Sequence, residues 1–226
     1  MKEIEFKSDV TVELIDMMGS EQRIVQAARV STKGAHAEAQ EAKGLVKFLV
    51  REKHEVPLEH CVMTFRIHAP IFVTRQILKH RHTSISEESG RYRELDPVFY
   101  TPAPDRKVKQ IGKTGNYEFV DDEEANDRAY QHITLASRDS WERYEDLIDG
   151  GVAKEVARMV LPTNLYSTMY MTINLRSALN FIALRTARYG SHPQHEIALV
   201  GERVRDVLAG HFPTVLEAWE ARNENV

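Results

Sequence analysis

Between Lys79 and Tyr92 the chain reads KHRHTSISEESGRY. Lys79 and Arg81 bracket His80 at its start, and Ser89-Gly90-Arg91 follows. A serine hydroxyl, a glycine that permits close backbone approach and a planar guanidinium fork are the parts of a phosphate cradle. The same residues would also serve as a solvated polar loop, and spacing alone does not choose. Arg158 sits in the apolar run EVARMVLP. An arginine there seeks a carboxylate or a phosphate, so it reads either as a structural ion pair or as an anion ligand. The stretch from Asn174 to Arg185 (NLRSALNFIALR) offers polar groups to two places. At about 100° per residue, Asn180 lies about 40° from Arg176 on a helix, and Arg185 about 180° away. One face could meet water, or both could meet ligands across a subunit interface.

Other chemistries fit poorly. His54, His60, His68, His80 and His82 cluster in sequence, but none of their spacings matches a familiar zinc pattern. No metal site is expected, which leaves a histidine-based metal hydrolase as a remote reading. Cys61 beside His60 is a weak nucleophilic pair, because adjacent strand residues point to opposite faces. Cys61 is expected to be a small buried hydrophobe. No GxGxxG or GxxxxGK[ST] phosphate loop is present.

These residues need elements to hold them. Val10 to Met18 suits a strand, and Ser20 can cap a helix through Ala28. Ala35 to Glu52 reads as a second helix with Leu45, Phe48 and Leu49 on one face. Cys61 to His68 is β-branched and aromatic enough for a strand. Pro70 suits the first turn of a helix running to Lys79. His80 to Leu95 shows neither periodicity and is expected to be irregular, hence functional or disordered. Residues 101 to 121 read as a mobile surface loop. Asp122 to Gly150 is a long helix with an acidic start, and Val152 to Val160 a short one stopped before Pro162. Leu165 to Ile173 alternates as a strand, and Asn174 can cap a helix to Tyr189. His195 to Ala209 and Pro213 to Asn223 are two further amphipathic helices. Strands that do not alternate regularly with helices point to an α+β fold with a mostly antiparallel central sheet flanked by helices.

The chain has 226 residues, 42% hydrophobic and 28% charged, an ordinary globular balance. No Pro/Gly/Ser-rich linker divides it, so one domain over residues 1–226 is expected. A formal charge of -4 argues against a dedicated nucleic-acid binder. A single cysteine excludes an intrachain disulfide and suits a reducing cytoplasm. No apolar signal core opens the chain and no run of 18 apolar residues occurs, so neither export nor a membrane partner is expected.

The segment at 79–92 resembles the signature of the flavin-dependent thymidylate synthases, RHR(x7)S continuing as SGRY. Here it reads Lys79-His80-Arg81, seven residues, then Ser89-Gly90-Arg91-Tyr92. Five further segments are similar to that family and stand in its order. They are AARVS at 27–31, HExPxEH at 54–60, APIFVxRQ at 69–76, RxVLPxNLY at 158–166 and NxRSxxNFxxLR at 174–185. The resemblance implies an α+β homotetramer whose active sites draw on several subunits, converting dUMP to dTMP. Carbon would come from 5,10-methylenetetrahydrofolate, and NADPH would reduce FAD, which mediates methylene transfer and supplies hydride.

The resemblance also implies residue roles. Ser89, Arg91 and Arg158 would meet the phosphate of dUMP, and Gln76 and Arg185 would lie near its pyrimidine. Glu87, Glu88 and Gly90 complete the substrate segment. Gln76, Arg91 and Arg185 would assist the chemistry. Ser31, Glu59, Lys79, His80, Arg81, Glu87, Asn174, Arg176 and Asn180 would hold FAD, with His80 also near the folate. No protein nucleophile is required, since the cofactor carries the chemistry and the protein binds, orients and stabilises charge. Three positions depart from the family pattern: Lys79 for arginine, Ser86 for asparagine and Val56 for threonine. Lysine keeps the charge but loses the bidentate fork, so weaker or differently posed FAD binding is expected. A catalytically impaired nucleotide- or flavin-binding homologue is the alternative reading.

Overall fold

The computed structural model describes residues 2–34, 43–113 and 115–223. In chain order the elements are β1 (Glu5–Lys7), β2 (Thr11–Met18), α1 (Glu21–Lys33), α2 (Lys43–Arg51), β3 (Val62–Pro70), α3 (Ile71–Ile77) and β4 (Thr83–Glu87). There follow β5 (Val98–Tyr100), β6 (Lys109–Lys113), β7 (Asn116–Val120), α4 (Glu123–Asp149) and α5 (Lys154–Ala157). The chain ends with β8 (Tyr166–Asn174), α6 (Leu175–Arg185), α7 (His195–His211) and α8 (Pro213–Asn223). Helices are mixed with antiparallel sheet, as an α+β fold requires. The chain divides into two compact units, each assembled from separate stretches of sequence.

One unit holds residues 10–68, 75–87 and 168–226. Its sheet has the strand order β2-β3-β8-β4, with β2 antiparallel to β3 and β4 antiparallel to β8. Alternate residues of the two central strands point inward: Met63, Phe65 and Ile67 on β3, and Met169, Met171 and Ile173 on β8. Stripes from α1, α2, α6, α7 and α8 complete this core, among them Ile24, Val50, Phe181, Val204 and Trp219. Burial of such stripes supplies most of the stability of amphipathic helices.

Local chemistry explains the helix starts. Ser20 Oγ accepts from Arg23 N at 3.3 Å to cap α1, and Asn174 Oδ1 accepts from Ser177 N at 2.8 Å to cap α6. Gly19 has a positive φ, and a Cβ there would lie 2.7 Å from Cys61 Sγ, so only glycine fits. Cys61 is buried as expected, and burial pushes its thiol up to about 11. It is unreactive for that reason.

The other unit holds residues 1–9, 69–74 and 88–167. Its core gathers Leu95, Phe99, Trp141, Tyr144, Ala157 and Leu165. The short strands β1 and β5 pair in parallel. Asp122 caps α4 through Ala125 N at 2.9 Å, and Glu123 and Glu124 complement the helix dipole.

Four expectations need correcting. Residues 83–87 are a strand rather than irregular, because β4 pairs with β8 as a sheet edge. Its alternation is real but carried by small polar residues, with Ser84 and Ser86 outward. Residues 109–113 and 116–120 pair as antiparallel strands rather than forming a surface loop; nearly every side chain in them is exposed, so no burial pattern marks the strands. On α2 the buried face is Val46, Leu49 and Val50, while Phe48 is exposed; the predicted start of that helix at 35–42 lies outside the described residues. Pro70 ends β3 instead of entering α3. Among the described residues no helix is long and apolar enough to cross a membrane.

Candidate active site

In the first unit, four elements bring one polar chain together. Arg185 ends α6, Gln76 lies in the last turn of α3, His80 follows α3, and Gln194 precedes α7. Arg185 Nε donates to His80 Nε2 at 3.0 Å. One terminal nitrogen of Arg185 reaches the Gln76 carbonyl at 3.4 Å and the other Gln76 Oε1 at 3.5 Å. Gln76 Nε2 donates in turn to Gln194 Oε1 at 2.7 Å. The His80 ring meets Phe181 edge-on, with centroids 4.7 Å apart.

Burial, with a smaller contribution from the Arg185 charge, lowers His80 to about 4. The imidazole is therefore neutral at pH 7, and because Nε2 accepts from Arg185 its proton sits on Nδ1. Burial also lowers Arg185 from the ordinary guanidinium value. A partly desolvated guanidinium with no carboxylate against it among the described residues can stabilise negative charge on a ligand. Gly201 helps hold this end of α6: a Cβ there would lie 2.5 Å from the Arg185 carbonyl oxygen.

Arg176 serves a different place, as the helical wheel requires. It donates to Glu59 at 2.6 Å and lies 3.3 Å from Glu55. Arg222 also pairs with Glu55, at 2.7 Å. Asn180, four residues on from Arg176, is exposed. Lys79 and Arg81 are exposed cations with no carboxylate partner among the described residues. Glu87 is half-buried at the end of β4. Ser31 donates to the Ala28 carbonyl at 3.1 Å in the last turn of α1. Asn174 spends its side-chain oxygen on the cap of α6.

The second unit carries the other part of the signature. Ser89 Oγ accepts from Arg91 N at 3.3 Å, and the Ser89 carbonyl accepts from Tyr92 N at 3.1 Å, which curls the segment into a tight turn. Gly90 is buried. A Cβ there would lie 2.9 Å from Leu95 Cδ1 and 3.4 Å from Arg158 Cδ. The glycine thus lets the stem of Arg158 lie against the turn. Arg158 is exposed and has no carboxylate partner among the described residues, so its guanidinium is open to an anion there. Arg91 pairs with Glu155 at 2.8 Å and stacks over Tyr92. Glu88 pairs with Arg93 at 2.6 Å, which balances its charge.

Sequence reasoning missed Gln194, Gly201, Phe181 and Glu155. Each acts through a neighbour distant in sequence, and no local spacing announces that. A cavity of ≈ 690 Å³ lined by Phe6, Pro104, Asn126 and Tyr130 involves none of the signature residues. Among the described residues no group of three His, Cys, Asp or Glu could hold a metal.

Comparison with known proteins places this geometry in a family. Residues 13–214 match the family described as thymidylate synthase complementing protein. The chain belongs to the flavin-dependent thymidylate synthase family. A flavin-dependent thymidylate synthase of Tropheryma whipplei (strain TW08/27) is 45% identical, covering 95% of this chain and 94% of that protein. One from Streptomyces avermitilis is 43% identical, covering 95% and 92%. Among solved structures, the UMP/dUMP methylase PolB from Streptomyces cacaoi bound with 5-Br dUMP superposes with a TM-score of 0.91 at 40% identity, covering 97% of this chain and 98% of that one.

Proposed function

We propose that this chain catalyses the reductive methylation of dUMP to dTMP. FAD is its cofactor, 5,10-methylenetetrahydrofolate the carbon donor and NADPH the reductant, and it works as a cytoplasmic homotetramer. The observation that carries the reading is Arg158. Its guanidinium has no carboxylate partner among the described residues, and its stem is seated on Gly90 beside Ser89 and Arg91. A free guanidinium fork next to a hydroxyl suits a phosphate monoester. Arg91 joins it readily, because its ion pair with Glu155 is exposed on both sides and such pairs contribute only about 0–1 kcal/mol.

The residues also fit the cofactor. FAD carries a diphosphate, and Lys79 and Arg81 are exposed cations without carboxylate partners among the described residues. His80, Glu87, Asn174, Asn180, Ser31 and the Arg176–Glu59 pair supply the donors and acceptors for its remaining groups. Bound there, FAD would supply hydride and mediate carbon transfer. The chain's own part is electrostatic. Arg185 and Gln76 stabilise negative charge developing on the pyrimidine as C5 becomes nucleophilic. The neutral His80 orients Arg185 without adding a second charge to it.

Lys79, Ser86 and Val56 are all exposed, so these departures act on ligand contacts and leave the packing alone. The decisive assay is tritium release from dUMP labelled at C5, with FAD, NADPH and methylenetetrahydrofolate omitted in turn. Release that needs all three supports the synthase. Binding of dUMP and FAD without release points to the impaired homologue. A parallel arm with labelled UMP decides whether the ribonucleotide is also accepted, as the name of the PolB structure states for that protein.

A further inference from the structure

The carboxamide of Gln76 has a donor end and an acceptor end of nearly the same shape. Turned one way, it reads the N3–H and carbonyl edge of uracil. Turned by 180°, it reads the N3 and amino edge of cytosine. Its orientation is therefore a specificity element, and two neighbours hold it. Arg185 has no acceptor, so the Gln76 atom that faces it at 3.5 Å is the oxygen. The nitrogen then faces away and donates at 2.7 Å to Gln194 Oε1. The sense of this row comes from arginine, while its shortest bond is the one to Gln194.

Gln194 occupies the N-cap position of α7, where a side-chain oxygen would ordinarily accept from the first turn. It makes no such bond. Its oxygen goes to Gln76 instead. Each end of the Gln76 amide keeps one free site, a hydrogen on the nitrogen and a lone pair on the oxygen. A flip would bring an N–H against the Arg185 guanidinium and would turn Gln194 as well.

Resting on the nucleotide reading above, we infer that Gln194 is a specificity-determining positioning residue: it locks Gln76 in the orientation that accepts a uracil ring and rejects a cytosine ring.

The test compares dUMP and dCMP binding to the full-length protein loaded with FAD, by calorimetry, in wild type, Gln194→Met and Gln194→Glu. Methionine keeps the length and removes the acceptor. Its preference for dUMP over dCMP should fall roughly fivefold, the loss of about one neutral hydrogen bond. Glutamate is an obligate acceptor and should retain the wild-type ratio. A merely structural role would weaken both nucleotides together and leave the ratio unmoved. A Gln194→Met ratio equal to wild type, or a Gln194→Glu ratio that falls as far as that of Gln194→Met, overturns the inference. Wild-type protein that binds neither nucleotide overturns the nucleotide reading itself, and this inference with it.

Discussion

Gly90→Ala tests the phosphate cradle directly. A Cβ at this position meets Leu95 Cδ1 at 2.9 Å, Leu95 Cγ at 3.2 Å and Arg158 Cδ at 3.4 Å. Carbon atoms rest at about 3.5–4.0 Å, so the neighbours must give by several tenths of an ångström. Leu95 has little room, being buried against Phe99, Trp141 and Tyr144. Overpacking of this kind costs about 1–3 kcal/mol. For a chain of this size, that lowers Tm by roughly 2–12 °C. Arg158 is the freer partner and should be pushed off the turn. Losing one charge-assisted contact to phosphate should weaken dUMP roughly ten- to a hundredfold. Deoxyuridine, which lacks the phosphate, should lose little. Calorimetry with dUMP and deoxyuridine, beside a thermal melt, separates the two effects. An equal loss for nucleoside and nucleotide, or a lower Tm with dUMP binding intact, would refute the reasoning and leave Gly90 a packing residue alone.

Four more outcomes are expected. His80 titrates near 4 when folded against an ordinary 6.5, so across that window the unfolded chain binds more protons. Its contribution to stability is present above about 6.5 and is lost as pH falls toward 4. Tm should therefore fall on acidification through this range, and His80→Gln, which keeps an acceptor for Arg185 but does not titrate, should flatten the profile; parallel wild-type and variant curves would clear His80. Glu155→Gln frees Arg91 from its exposed partner and should tighten dUMP by up to roughly fivefold in calorimetry, and a weakened affinity would count against the phosphate role of Arg91. Asn174→Ala removes the cap of α6 and should cost about 1 kcal/mol, while Asn174→Asp keeps it, so any loss of FAD affinity common to both variants in a flavin fluorescence titration reports ligand contact rather than capping. Lys79→Arg restores the bidentate fork and should tighten FAD; unchanged affinity would remove the lysine as the cause of weaker binding.

Much of the fold could be read from local chemistry. Ser20, Asp122 and Asn174 announce the starts of α1, α4 and α6 because a short polar side chain satisfies the free N–H groups of a first turn wherever it stands. The strands β2, β3 and β8 carry enough apolar or β-branched character to be recognised. Elements that bury little escaped. The edge strand β4 alternates with serines, and the β6–β7 hairpin exposes nearly all its side chains, so neither carries a hydrophobic period.

The candidate site divides along the same line. Sequence by itself determined which residues could act, and their order, through six segments that resemble one family. The helical period alone set Arg176 and Arg185 on opposite sides of α6. Which partner each meets was decided only by tertiary structure. Arg185 is bound to His80 and Gln76, Gln76 to Gln194, and Arg176 to Glu59, across sequence separations of 105, 109, 118 and 117 residues. Arg158 shows the other side: its availability rests on its having no carboxylate partner among the described residues, and no run of residues around it could have said so. A side chain's hydrogen-bonding capacity is intrinsic to its type. Whether that capacity is met, balanced or left open depends on neighbours that only chain folding brings within 3 Å or so.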